Sequence, residues 1–179
     1  MSEQGIPARA LFRDIIIALC ISGIAPLMAG FFFMATPASV LALMSATLIL
    51  EYGAVFFGTA LGMDNALIFI VVSLVAAGII FFQFSLFDHA GKSSPRVARF
   101  LERTRGKYGS SRYIKKYGVF ALVPGTLVVG FYVCPAMAWL IGWDRKTAFI
   151  IILGTFCVAS AFLLPVSEGL IQWITSLWG

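Results

Sequence analysis

The sequence predicts an all-α, polytopic integral membrane protein with about five hydrophobic segments, some of them Pro/Gly-broken or re-entrant helices, and with a candidate inverted repeat. Three observations lead there. Of 179 residues, 60% are hydrophobic and only 12% are charged, about half the charge of an ordinary soluble domain. Mean hydropathy is +0.97, so water is not the main solvent of this surface. Apolar runs recur at 15–34, 38–61, 65–87, 118–141 and 147–165, each near the ~20 residues that a helix needs to cross ~30 Å of hydrocarbon. The first run is long and is followed at once by others, so it reads as a retained span and not as a cleavable leader.

The elements follow in order within one membrane domain over 1–179, whose N-terminal hydrophobic half covers 14–87. Ile6, Leu11 and Phe12, with Arg9 and Arg13, suit a brief interfacial turn. The first run is interrupted at Pro26 and Gly30 and ends in Phe31–Phe33, Met34 and the turn Thr36-Pro37. The second carries Glu51 near its middle and forms either one tilted helix or two half-helices meeting near Tyr52-Gly53; both keep the backbone bonded, the broken form only if protein buries it. Asp64 and Asp144 each stand just before an apolar run, where a carboxylate caps the free N–H groups of the helix that follows.

The polar connector, 88–117, holds nine of the thirteen basic residues. Ser94 and Pro95 can open a helix there, with Val97, Leu101, Thr104 and Tyr108 on one face and arginines around the rest. Such a helix lies at the membrane surface against anionic lipid headgroups. A cytoplasmic side is expected for it; whether Arg9 and Arg13 share that side depends on the number of full crossings before residue 88. Over 118–165, the C-terminal hydrophobic half, the stretch VFALVPGTLVVGFYVCP places Pro124-Gly125, Gly130 and Pro135 inside a run of spanning length. Residues 166–179 form an amphipathic segment predicted to rest at the interface, and Trp139, Trp143, Trp173 and Trp178 suit membrane boundaries.

The two halves resemble each other. ALGMDNALIFIVVSLVAAGIIF matches LIGWDRKTAFIIILGTFCVASAFL in its Gly-apolar-Asp turn and central small residues, and GIAPLMAGF matches ALVPGTLVVGF in its proline and Gly-Phe pair. Interrupted hydrophobic segments at corresponding places point to a transporter site at the broken helices. The proline-to-aspartate spacing is longer in the first half, which therefore contains an extra segment unless the second has lost one.

Chemistry has few places to reside. His89 stands alone beside Asp88, too little for a zinc site, and Cys20, Cys134 and Cys157 lie in apolar runs without ligand spacing. No metal and no cofactor is expected. No nucleophile, phosphate-loop or dinucleotide motif occurs, so an enzyme is not expected, and nucleic-acid binding lacks a folded basic platform. Glu51 is the single acidic residue deep in an apolar run, either a proton-coupling or cation-binding group or a structural hydrogen bond. Pro124 removes a helical bond, Gly125 permits close approach, and Thr126 brings a hydroxyl near freed carbonyls. Pro26, Gly30, Glu51, Pro124, Gly125 and Thr126 are the candidate solute or ion site.

YIKKYGVFALVPGT, followed by PAMAWLIGWDRKTAFIIILGT, resembles the C-terminal half of the small multidrug export protein family over about residues 95–165. Leu127 stands where that pattern has a second glycine, and the N-terminal half has only a distant counterpart in LFRDIIIALCISGIAP. A remoter likeness to DedA-type proteins rests on paired re-entrant segments and would fit lipid translocation. The resemblance implies a small exporter.

The expected function is thus a small secondary transporter exporting small organic or cationic solutes, with proton coupling through Glu51, in the cell membrane. Alternatives are a channel or lipid-translocating protein, and a structural or partner-binding membrane protein. A homodimer is expected, packed through small residues at 58–62, 76–78 and 154–161.

Overall fold

The computed structural model describes residues 8–93 and 118–178. The amphipathic helix expected over most of the connector lies outside the described residues. Described residues are almost wholly helical, and three helices are long and apolar enough to cross a membrane: Leu11–Phe32, Asn65–Gly91 and Arg145–Leu177. The runs at 38–61 and 118–141 are not single spans. Each is folded into a pair of shorter helices, because a non-helical residue sits in its middle.

The first span joins α1 (Ala8–Leu19) to α2 (Ala25–Phe32) through a widened turn, Cys20–Ile24. The Ala25 N–H reaches back to the Cys20 carbonyl, and Pro26, which has no N–H to give, follows immediately. A widened turn accommodates the proline ring without ending the helix. Pro26 therefore does not break the first run, contrary to expectation. Gly30 does not break it either; it is buried beneath Val40, whose methyl occupies the place of a side chain.

Helix α3 (Pro37–Leu50) starts at a Thr36 cap with Pro37 in its first turn. It stops at Glu51, where φ is +50° and ψ is −109°. After Tyr52, α4 (Gly53–Ala60) begins, then α5 (Asn65–Ser93). Because α5 continues to Ser93, the connector starts later than residue 88, and His89 belongs to this helix, its Nδ1 2.6 Å from the Ser85 carbonyl. In the second half a short turn, Gly118–Ala121, leads into α6 (Leu122–Val129), α7 (Val133–Ile141) and α8 (Arg145–Trp178). Helix α8 runs on through Pro165, so no separate helix begins at 166. At 1.5 Å per residue, its 34 residues reach about 50 Å, well beyond the hydrocarbon thickness.

Helices α5 and α8 lie antiparallel. At one end of the molecule Asn65 donates to Glu168 at 2.6 Å and the Thr59 and Ser167 hydroxyls meet at 2.8 Å. At the other end Arg145 binds Asp88 at 3.0 Å and Ser85 at 2.8 Å. Arg13 and Asp14 of α1 also face Arg145 and Lys146 there. The α3–α4 pair starts beside α2's end, at the Asn65–Glu168 end, and returns to it through Thr59. It does not cross the molecule. Two long apolar helices, Leu11–Phe32 and Asn65–Gly91, run in opposite directions before the connector, which puts Arg13 at the same end of the molecule as the end of α5.

The halves correspond more closely than their proline patterns suggest. Thr47 and Thr126 are both buried in the last turns of α3 and α6, and each hydroxyl donates to the carbonyl four residues back, Leu43 and Leu122, at 2.8 Å. Two residues on, Ile49 is 79% exposed and Val128 84%. Gly62 and Gly142 turn with φ of +68° and +83°. Asp64 then accepts from the Ala66 N–H and Asp144 from the Thr147 N–H, both at 2.8 Å; both predicted caps are formed. Ile68, Val72, Ala76 and Ile80 on α5 are buried at the same four-residue interval as Ala148, Ile152, Phe156 and Ser160 on α8. The extra segment of the first half is the whole first span, and the equivalent of the Pro124 region is α3, not the Pro26 region.

Buried residues cluster along α5, from Leu67 to Phe84, with Leu43, Phe131, Ile152 and Phe156 packed on them. Gly78 lets α1 approach α5: a methyl there would meet the Ser22 Cβ at 2.6 Å and the Ala18 carbonyl at 2.9 Å. Gly58 is closed off by Ile68 in the same way, whereas nothing lies within 4 Å of a methyl at Gly154. Of the small-residue stretches assigned to a dimer contact, 58–62 and 76–78 therefore have glycines committed inside one chain. Gly78→Ala is expected to cost about 1–3 kcal/mol, as overpacking does, seen as a lower Tm in detergent; Gly154→Ala should be neutral or gain up to about 1 kcal/mol from helix propensity. Equal effects at the two sites would contradict this packing.

Candidate functional site

A chain that stops a helix in mid-structure leaves N–H and carbonyl groups unpaired, and in lipid each must find a protein partner. Two such stops occur here, at Glu51-Tyr52 and at Gly130–Tyr132, and they meet. Gly130 has φ +84° and ψ 179°, a conformation open to glycine and strained for other residues. The space where a Gly130 side chain would stand is filled by the Glu51 carboxylate. That carboxylate accepts a hydrogen bond from the Phe131 N–H, just before α7, where the partial positive charge of a helix start favours an anion. Glu51 itself holds a positive φ, which costs a non-glycine residue about 1–3 kcal/mol and persists only where surroundings enforce it.

Two tyrosines tie the breaks together reciprocally. Tyr52, preceding α4, donates to the Thr126 carbonyl in α6 at 2.9 Å. Tyr132, preceding α7, donates to the Leu48 carbonyl in α3 at 2.6 Å. Each tyrosine thus supplies a donor to the last turn of the other half's short helix. Phe156 of α8 packs on both breaks, its ring 4.9 Å from Tyr52 and 4.8 Å, edge to face, from Phe131, which in turn lies 4.6 Å from Tyr132. Tyr52 also lines a groove of about 800 Å³ between α6 and α8, bounded by Val123, Leu127, Thr155, Phe162 and Val166. Its walls are almost entirely apolar, with the Tyr52 and Thr155 side chains its polar ones.

The predicted site residues divide accordingly. Glu51 and Thr126 are at the junction. Pro124 is not the break: it is the third residue of α6, in the first turn, where a missing N–H leaves no carbonyl of that helix unpaired. Pro135 likewise sits in the first turn of α7 and makes no second bend. Gly125 lies in α6 facing Cys134, whose sulfur would be 3.4 Å from an added methyl, so it brings α6 and α7 together. The Thr126 hydroxyl donates to the Leu122 carbonyl of its own helix, and its carbonyl is the group that accepts from Tyr52 at the junction. Pro26 and Gly30 are in the first span and are not brought to this place. Tyr52, Tyr132 and Phe131 were missed as site residues. Their signal was TLILEYG against TLVVGFY, in which the threonines align directly and the tyrosines align after a one-residue insertion.

Comparison of the chain with protein-family models, with curated proteins and with solved structures finds no match.

Gly130→Ala is expected to be the most damaging small substitution in the short helices, because it adds backbone strain of about 1–3 kcal/mol to expulsion of the Glu51 carboxylate. Tyr132→Phe should cost about 1 kcal/mol, the net worth of a hydrogen bond. Thermal unfolding in detergent checks the order; Gly130→Ala no less stable than Tyr132→Phe would contradict the junction.

Proposed function

We propose that the protein is a small secondary membrane transporter that exports small organic or cationic solutes, with Glu51 as its proton-coupling group. One observation carries this reading: an ionisable carboxylate lies where two interrupted segments meet, and its chain neighbour Tyr52 lines a groove of about 800 Å³. A carboxyl within a membrane domain is costly unless it binds a cation, pairs, or takes up a proton. Broken helices that end in protein are where transporters hold polar solutes and coupling ions. The antiparallel arrangement of α5 and α8, each preceded by a broken pair, supports an inverted repeat with re-entrant α3–α4. The resemblance to small multidrug export proteins over 95–165 adds support for export.

In this reading the protein sits in the cell membrane with the connector cytoplasmic, a side supported by Arg13, Arg145 and Lys146 at the end where α5 leads into that basic segment. Anionic headgroups contact the connector in this reading. The homodimer remains part of the proposal, with 154–161 as its remaining small-residue face. A second reading, lipid translocation, is favoured by one feature: the groove is apolar and bounded by Phe162, which is 73% exposed, as suits an acyl chain.

Proteoliposomes with an imposed pH gradient and a panel of small organic cations provide the test. Gradient-driven flux is expected, and Glu51→Gln should abolish its dependence on the gradient. Flux unchanged in Glu51→Gln would remove the coupling role. Absence of flux across the panel, together with scrambling of labelled phospholipid, would replace export by the second reading.

A further inference from the structure

A second cavity, of about 560 Å³, lies at the Asp88–Arg145 end, away from the helix breaks. Arg13 and Asp14 from α1, Phe81 from α5, and Arg145, Lys146, Phe149 and Ile150 from α8 line it. Three helices drawn from a stretch of more than 130 positions of sequence converge there. Its polar groups are mostly cationic. Arg145 spends two of its N–H groups on Asp88 and Ser85 and lies 5.1 Å over the Phe81 ring. Among the described residues Arg13 reaches its neighbour Asp14, at 3.4 Å, and its side chain is 73% exposed. Asp144, the acid beside Lys146, is already engaged: it accepts from the Thr147 N–H and hydroxyl, both at 2.8 Å, bonds that hold its carboxyl below the usual aspartate range. Among the described residues Asp14 is the only acid on the lining.

Position along the long helices points to the kind of ligand. Arg13 stands two residues inside the first apolar stretch, which starts at Leu11, and Arg145 opens the third; with these helices across a bilayer, the cations fall at the level where hydrocarbon gives way to headgroups. Phe81, Phe149 and Ile150 continue the lining with apolar surface. A pocket with cations at one level and aromatic and aliphatic walls beside them matches an amphiphile with an anionic head, and basic pockets between membrane helices on the cytoplasmic side bind such headgroups. We propose that this cavity is a discrete anionic phospholipid site, the headgroup phosphate held by Arg13, Lys146 and the free N–H groups of Arg145, and the glycerol and upper acyl carbons lying on Phe149 and Ile150. The site is distinct from the diffuse attraction of the connector and does not depend on transport.

Purified full-length protein, stripped of lipid in detergent and titrated with phosphatidylglycerol or phosphatidylcholine, can be read by native mass spectrometry. One phosphatidylglycerol should be retained, and the Arg13→Gln/Lys146→Gln double variant should bind it about ten- to thirtyfold more weakly, as expected for two lost cations near a headgroup. The charge-keeping Arg13→Lys/Lys146→Arg variant should retain it, and millimolar inorganic phosphate should not displace it. Phosphatidylglycerol bound equally by the wild type and the double variant would place headgroup binding elsewhere and overturn the site. Displacement by inorganic phosphate would show a simple anion pocket, and equal retention of phosphatidylcholine would show no headgroup selection; either result also overturns it.

Discussion

The fold turns on a carboxylate occupying the place of a missing side chain. Glu51 from one half reaches into the volume that Gly130 leaves open in the other and takes the Phe131 N–H as its donor. Both residues hold backbone angles that ordinary helix excludes, and neither arrangement makes sense without the other. Once this contact is fixed, α3 must end at Leu50 and α6 at Val129, and the remaining turns follow from satisfying the groups those ends expose.

That constraint explains why so much aromatic and hydroxyl chemistry is concentrated at one depth. Tyr52 and Tyr132 carry donors across the junction to carbonyls in the opposite half, while Phe156 packs against Tyr52 and Phe131. An amphipathic ring suits this work: it buries a large apolar area and delivers one polar atom at its tip. The long helices α5 and α8 are pinned at both ends by polar contacts, so the short helices are held between two braced spans.

Much of this was legible in the sequence. Length and hydropathy mark the three spans but mark 38–61 and 118–141 equally, which fold as pairs of shorter helices; the two aspartates announce the starts of α5 and α8 because a carboxylate cap leaves a local signature. Glu51 stands out because an acid in an apolar run needs a physical reason. The prolines misled, for a definite cause: proline interrupts a helix only where its missing N–H and its ring matter. Pro124 and Pro135 fall in first turns, and the widened turn at Cys20–Ile24 absorbs Pro26. The true break at Gly130 is set by a positive φ, which sequence expresses only as one glycine among seventeen. The reciprocal tyrosines were hidden by a single inserted residue between the halves, and the meeting of Glu51 with Gly130 is a long-range contact that no local pattern encodes.

The contact itself can be measured in a bilayer. Protein carrying ¹³C at the Glu51 carboxyl and at the Gly130 Cα, reconstituted in lipid and read by solid-state NMR dipolar recoupling, should show the two carbons within about 4 Å, the range of van der Waals contact. No coupling between those labels in a well-folded sample would mean that the two breaks do not meet, and both the junction and the site built on it would be lost.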